Sequence, residues 1–247
     1  MVTSENEECQ RAEISKMDYP MIAIIPARGG SKRIPRKNIK KFNGVPILGM
    51  TIETLTNSNI FDEILVSTED SEIARIAIDY GAKVVNRPKM LADDFTTTTD
   101  VMRDMARYIK ENRINEELLC CIYPINPFLN ISHITQAEIM LRRENLDFVF
   151  SAKLFDSPIQ RALIRNVDGY SNFMFQEFKS SRSQDLQESF RDGAMFYLGK
   201  IESWIECDSP LSGNSKFILL KKYETVDIDD EEDWVFAEEI YKIRNPR

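Results

Sequence analysis

Histidine is nearly absent from these 247 residues, occurring once, at His133. It stands at a helix start away from the polar motifs, so a surface position is expected and no general base is evident. Cysteine is scarce and poorly spaced for chemistry. Cys9, Cys120, Cys121 and Cys207 form neither a zinc spacing nor a disulfide framework, and the adjacent pair sits in the apolar run LLCCIY. Buried, reduced thiols of a cytoplasmic protein are expected. No apolar stretch approaches the roughly 18 residues of a membrane span. The first 20 residues are polar, lack the apolar centre of a signal peptide, and read as a mobile extension ahead of one domain over 21–247. Positive charge is in deficit: 32 Lys and Arg against 40 Asp and Glu, a net charge of −8. That speaks against a nucleic-acid partner. Neither GxxxxGK[ST] nor GxGxxG occurs, which disfavours a P-loop and a dinucleotide fold.

What is present is a globular composition, 43% hydrophobic and 29% charged. MIAIIP (21–26), EILVST (63–68), AKVVNR (82–87) and LLCCIYP (118–124) read as buried strands. Helical spacing runs over 46–58, 71–80, 98–112 and 132–145. In the third helix Val101, Met105, Tyr108 and Ile109 are expected inward. Strands alternating with helices of this length predict an α/β fold with a mostly parallel sheet. Ligands then bind beyond the carboxyl ends of the strands, in the loops after Pro26, Thr68, Arg87 and Pro124. After Asp147 the alternation fails, and residues 146–190 read as a small β-rich excursion. EEDWVFAEEIYKIR reads as a closing helix, acidic at its start and basic at its end.

The loop after the first strand, PARGGSKRIPRKN (26–38), holds Arg28, Lys32, Arg33, Arg36 and Lys37, and Lys40 follows. Gly29 and Gly30 allow positive φ, which turns backbone N–H groups toward a ligand. Ser31 adds a hydroxyl. The combination suits a triphosphate. The bland alternative, a solvated basic loop, fits poorly with its place directly after a buried strand.

IIPARGGSKRIPRKNI resembles the signature of the sialic acid cytidylyltransferases, which couple CTP to nonulosonic acids. The resemblance extends over 21–247. It implies a Rossmann-like sheet of the nucleotide-diphospho-sugar transferase type. It also implies that Arg28, Gly29, Ser31, Lys32, Lys37 and Asn38 hold the CTP phosphates and cytosine, with Arg28 and Lys37 catalytic. NRPKMLADDFTTTTD (86–100) is similar to the family's second motif and puts Arg87 and Thr98 at nucleotide-contacting positions. Read alone, the Thr run is an N-cap cluster, and Asp94 is open to a structural role or a ligand contact. YPINPF (123–128) stands where sialic acid synthetases carry Gln-Pro-Thr-Ser-Pro.

TVDIDDEEDW (225–234) places Asp227 and Asp229 on one face if the segment is a strand. Two such carboxylates can hold a hard cation, while Asp230 to Asp233 read as an acidic helix start. The likeness to the family's Asp-Ile-Asp motif implies Mg²⁺ on Asp227 and Asp229, which also become catalytic candidates. RSQDLQESFRDGAMFY (182–197) resembles the family's acceptor region, making Arg182, Arg191 and Asp192 candidates for the sugar. Gln160 stands where sialic acid synthetases tend to have Lys. With Arg161 and Tyr123 it marks departures from their pattern. PIQRAL, the Tyr-Pro pair and SKRIPRKNI are similar to the pseudaminic acid branch of the family.

The implied activity is transfer of CMP from the co-substrate CTP to the anomeric hydroxyl of a nine-carbon acidic sugar, releasing pyrophosphate, by a homodimer whose excursion crosses between subunits. Two rivals stand beside pseudaminic acid activation: activation of legionaminic, N-acetylneuraminic or 3-deoxy-octulosonic acid, and a non-catalytic nucleotide sensor on the same fold. Retention of both Asp227 and Asp229 disfavours the sensor.

Overall fold

The computed structural model describes residues 20–112 and 118–245. The expected N-terminal extension, all but its last residue and including Cys9, lies outside the described residues. Met21–Pro26 forms β1, whose first five residues are buried. It pairs in parallel with β4 (Glu63–Thr68) on one side and β6 (Leu118–Ile122) on the other. Beyond β4 lies β5 (Lys83–Asn86), also parallel. Beyond β6 come β10 (Phe190–Lys200), β7 (Phe148–Leu154) and β11 (Ser215–Leu220), giving the order β11-β7-β10-β6-β1-β4-β5. β10 alone runs against the others. Strand order reverses at β1, and a crevice at that reversal is where open α/β sheets bind ligands.

Helices cover both faces. α1 (Ile47–Ser58), α2 (Ser71–Asp79) and α4 (Ile131–Arg143) press Leu48, Ile52, Ile73, Ala77, Ile134 and Leu141 onto one face. α3 (Thr98–Asn112) and the short α5 (Ile201–Glu206) cover the other. The apolar stripe of α3 is Met102, Met105, Ala106 and Ile109, an i, i+3, i+4, i+7 set. Tyr108, expected inward, is rotated out of that stripe and exposed. His133, expected at the surface, is 8% exposed because α4 turns it inward, with Nε2 3.7 Å from Glu224.

A third apolar cluster joins distant segments. Ile34 of the basic loop, Phe42 of β2 (Lys41–Phe42, paired with β3, Val45–Pro46), Phe128, Ile228 and Trp234 pack together. Trp234 belongs to α6 (Glu231–Arg244), whose first turn is locked by a capping box between Asp230 and Asp233.

The excursion starts later than the sequence pattern suggests. Phe148–Leu154 stays in the main sheet, so the departure covers 155–189. It carries a hairpin of β8 (Leu163–Arg165) and β9 (Ser171–Phe173) and leaves Leu163, Ile164, Val167, Tyr170 and Met174 exposed. No helix among the described residues is long and apolar enough to cross a membrane.

Candidate active site

A cavity of about 830 Å³ opens where β1, β5 and β6 end. The basic loop lines it, with Arg87, Thr98, Tyr123, the start of β10 and the segment 225–229. The antiparallel direction of β10 matters here, because it brings the strand's first residues to the end of the sheet where parallel strands finish. Six cations (Arg28, Lys32, Arg33, Lys37, Arg87, Arg191) face four carboxylates (Asp94, Asp192, Asp227, Asp229) across the cavity. A chain of net charge −8 therefore concentrates positive charge at this spot.

Two anchors shape the basic loop. Gly29 donates its N–H to Glu69 Oε1 at 2.8 Å, and a Cβ on it would lie 2.5 Å from Asp70 Oδ2. Arg36 then closes onto Asp70, Nη1 to Oδ2 at 2.5 Å, and onto Glu72 at 2.6 Å. That hydrogen bond holds the Asp70 carboxyl down at about 2. Three expectations change. Gly29 and Gly30 are not at positive φ; the left-handed residue is Arg36, at φ 55°. The Gly29 N–H is already used, so the glycine's value is close approach. Arg36 is a brace outside the cavity lining. The loop after Thr68 likewise supports the site rather than lining it, since Glu69 and Asp70 do the holding.

The remaining loop residues converge as expected. Ser31 and Lys32 line the cavity, and Asn38 lines it too while donating Nδ2 to the Arg28 carbonyl at 2.8 Å. Lys37 is half-buried and donates to the Ile228 carbonyl, and burial lowers its pKa. Arg28 and Lys32 share Asp94, at 2.8 and 2.5 Å, so Asp94 spans the cavity mouth from the opposite loop. Arg87 is 4% exposed and donates to the Ser67 carbonyl at 2.8 Å. Burial pulls its pKa down, and no carboxylate is in ion-pair contact with it among the described residues. Thr97, not Thr98, caps α3 through reciprocal bonds with Asp100. Thr98 is free to line the cavity, 3.3 Å from the Tyr123 hydroxyl.

Asp227 and Asp229 both line the cavity, but on irregular chain rather than a strand. Each is paired with nearby cations. Asp227 is held by Lys153 and Arg191, each at 2.6 Å, and Asp229 by Arg33 at 2.8 Å. Burial pushes the Asp227 carboxyl up, yet its two cations outweigh that and hold it below the usual range. No cluster of three or more His, Cys, Asp or Glu forms a metal cage among the described residues. Two carboxylates lining a cation-rich cavity fit Mg²⁺, which commonly takes one or two carboxylates with the substrate's phosphates.

Of the sugar candidates, Tyr123, Arg191 and Asp192 line the cavity. Gln160, Arg161 and Arg182 do not: they ride on the excursion. Gln160 donates to the Gln187 carbonyl, Arg161 donates to the Ser181 carbonyl at 2.8 Å and covers Phe173, and Arg182 is exposed. Lys153, 8% exposed on Asp227, escaped the sequence reading. A lysine inside the buried run FVFSAKL was the available signal, since buried lysines need a partner.

The comparisons with known proteins agree with one another. A family model described as cytidylyltransferase matches residues 22–213. A pseudaminic acid cytidylyltransferase of Campylobacter jejuni subsp. jejuni is 37% identical over 225 residues, 91% of this chain and 97% of that protein. N-acylneuraminate cytidylyltransferase A of Danio rerio is 33% identical over 218 residues, 88% of this chain and 50% of that protein. Among solved structures, a CMP:2-keto-3-deoxy-manno-octonic acid synthetase complexed with CTP superposes with TM-score 0.66 over 91% of this chain and 99% of that one. At 13% identity it speaks to the fold alone.

Proposed function

The chain belongs to the cytidylyltransferase family, and from that premise we propose that its cavity binds CTP and pseudaminic acid and joins them as a CMP-sugar. The observation that carries the reading is the cavity itself: six cations at the reversal point of the sheet, in an acidic chain whose 37% identical relative is a pseudaminic acid cytidylyltransferase. The enzyme transfers CMP from CTP to a nonulosonic acid. The anomeric hydroxyl attacks the α-phosphorus, and pyrophosphate leaves. Catalysis of this kind rests on positioning and charge stabilisation.

Arg28, Lys32, Lys37 and Arg87 neutralise the triphosphate, while Ser31, Asn38 and Thr98 complete the nucleotide side. Arg191 takes the sugar carboxylate, with Tyr123 and Asp192 beside it. Asp227 and Asp229 would hold Mg²⁺, which supplies Lewis acidity and phosphate charge neutralisation when bound. A homodimer through the excursion is part of the same reading. Its exposed apolar hairpin favours burial against a second copy, which would give Gln160, Arg161 and Arg182 their work. The cytoplasm, where thiols such as Cys120 and Cys121 stay reduced, is the compartment assigned.

The test is pyrophosphate release from CTP and Mg²⁺ against a panel of pseudaminic, legionaminic, N-acetylneuraminic and 3-deoxy-octulosonic acids. Preference for pseudaminic acid supports the reading. Preference for another acid corrects the sugar, and no release with any acid overturns the activity.

A further inference from the structure

The geometry points to Asp192 as the group that takes the proton from the attacking hydroxyl, held for that task by a bulge in β10 and by the buried Tyr197. This rests on the cytidylyltransferase reading above.

Asp192 and Tyr197 are five residues apart on one strand. On a regular strand that separation spans about 17 Å and ends on opposite faces. Here the Tyr197 hydroxyl donates to Asp192 Oδ2. The register of β10 against β7 shifts between Asp192 and Tyr197, and Ala194 sits at φ 49°. The bulge folds the start of the strand back over the tyrosine. Bulges beside functional sites commonly re-aim a side chain in this way, and a non-glycine residue in the left-handed region persists only where its surroundings hold it there.

The surroundings do hold it. Ser151 Oγ, fully buried on β7, accepts from the N–H groups of Met195 and Phe196 at 3.1 and 3.2 Å. Asn126 Nδ2 donates to the Met195 carbonyl at 3.0 Å. Gly193 is required, since a Cβ would lie 2.9 Å from the Ser151 carbonyl oxygen. Both N–H groups and the Met195 carbonyl at the inner end of the bulge are thus satisfied by buried side chains, as in a built feature and not a defect.

The product of this construction is a carboxylate unlike the other three in the cavity. Asp94, Asp227 and Asp229 are each in contact with a cation. Asp192 has none among the described residues. Its neighbour Arg191 turns to Asp227, and Lys153 from the adjacent strand does the same. Asp192 is held by neutral donors only, the Ala194 N–H at 2.8 Å on Oδ1 and the Tyr197 hydroxyl on Oδ2. Tyr197 has one O–H to donate, and the Asp192 anion, the stronger acceptor, receives that hydrogen bond. Tyr123, 3.3 Å from both Tyr197 and Thr98, then donates toward one of these neutral oxygens. The chain Thr98, Tyr123, Tyr197, Asp192 links the nucleotide side of the cavity to the sugar side.

In the step, the anomeric oxygen forms its bond to the α-phosphorus, and the bond from that phosphorus to the bridging oxygen breaks. The electron pair leaves with pyrophosphate, and the hydroxyl proton passes to Asp192. Tyr197 and Ser151 are positioning residues.

The experiment measures kcat and KM for pseudaminic acid by pyrophosphate release, with CTP affinity by calorimetry. Asp192→Asn should lower kcat by about a hundredfold or more, with acceptor KM and CTP affinity within threefold of wild type. Asp192→Glu should recover part of the loss. Tyr197→Phe should lower kcat on the order of tenfold and should cost nothing further in the Asp192→Asn background, because it acts through Asp192. A higher KM at unchanged kcat in Asp192→Asn would make Asp192 a binding residue only and overturn the assignment. So would lost CTP affinity, unchanged kinetics, or additive losses in the double variant. Wild-type protein that binds CTP but releases no pyrophosphate with any of the acids would overturn the functional reading and this assignment with it.

Discussion

Arg87→Met separates a binding cation from a structural one. Arg87 is 4% exposed, and its described partners are neutral: the Ser67 carbonyl at 2.8 Å and the Ser67 hydroxyl at 3.3 Å. Removing it does not orphan that carbonyl, which also accepts from the Ala27 N–H at 3.0 Å. The Ser67 hydroxyl, 1% exposed, does lose its Arg87 partner, a cost toward the lower end of the roughly 1–3 kcal/mol of an unsatisfied buried group because that contact is long and neutral. Methionine fills similar space and needs no solvation, which offsets that cost, so folding stability should change by less than about 1 kcal/mol. CTP binding should suffer, because a charge-assisted contact to phosphate contributes about 1.5–3 kcal/mol. That corresponds to a loss of about 10- to 150-fold in affinity. Chemical denaturation and CTP calorimetry on the same preparation read both quantities. Unchanged CTP affinity with stability lowered by more than about 2 kcal/mol would show Arg87 to be a brace for β4, and the reasoning from its lack of a carboxylate would fail.

Arg28→Ala should weaken CTP binding within the same range of about 10- to 150-fold; an unchanged calorimetric Kd would leave the basic loop a solvated surface. Asp227→Asn and Asp229→Asn should both reduce turnover strongly, and Mg²⁺ titration followed by CTP binding should show weakened metal dependence. Asp227→Asn should also lower the unfolding midpoint more than Asp229→Asn, since it strands the buried Lys153 cation; equal midpoints would contradict the role given to that pair. Turnover with pseudaminic acid should exceed that with N-acetylneuraminic acid by about a hundredfold in kcat/KM, and comparable values would refute the sugar assignment. Burial lowers the pKa of His133 from its usual 6.5, outweighing the attraction of Glu224. The unfolded chain then binds the extra proton, so stability should fall as pH drops through 6.5 toward the lower folded value. In His133→Gln that part of the slope should vanish; an unaltered slope would mean the ring titrates normally.

The sheet was legible because its signals are local. MIAIIP and EILVST are continuous apolar runs, and both are strands over the expected residues. α3 and α6 likewise occupy the expected spans. β11 and α5 were not legible. SKFILL follows an irregular stretch, and IESWIE is too short to show a helical period. Side-chain direction was harder still, as Tyr108 and His133 show: a rotation of one position in the stripe reverses inside and outside. The cavity's cations could be named from one loop. Their pairing could not, because Arg33 with Asp229, and Arg191 with Asp227, join segments far apart in the chain.

The convergence of those segments has a physical cause that no motif carries. Ile34 lies between the cations of the basic loop, and Ile228 lies between Asp227 and Asp229. Both are buried in one apolar cluster with Phe42, Phe128 and Trp234. Ile228 is 6% exposed in that cluster, while the carboxylates on either side of it reach the cavity. The apolar residue goes to the core beside α6, and the carboxylates go to the cavity. Ile34 does the same for Arg33 across the opening. Hydrophobic burial thus anchors both walls, and across them Arg33 meets Asp229 at 2.8 Å. The Lys37 ammonium, donating to the Ile228 carbonyl, ties the two walls directly. Charge chemistry in this site is therefore positioned by an isoleucine on each wall, and those two residues read as ordinary core in any local view of the sequence.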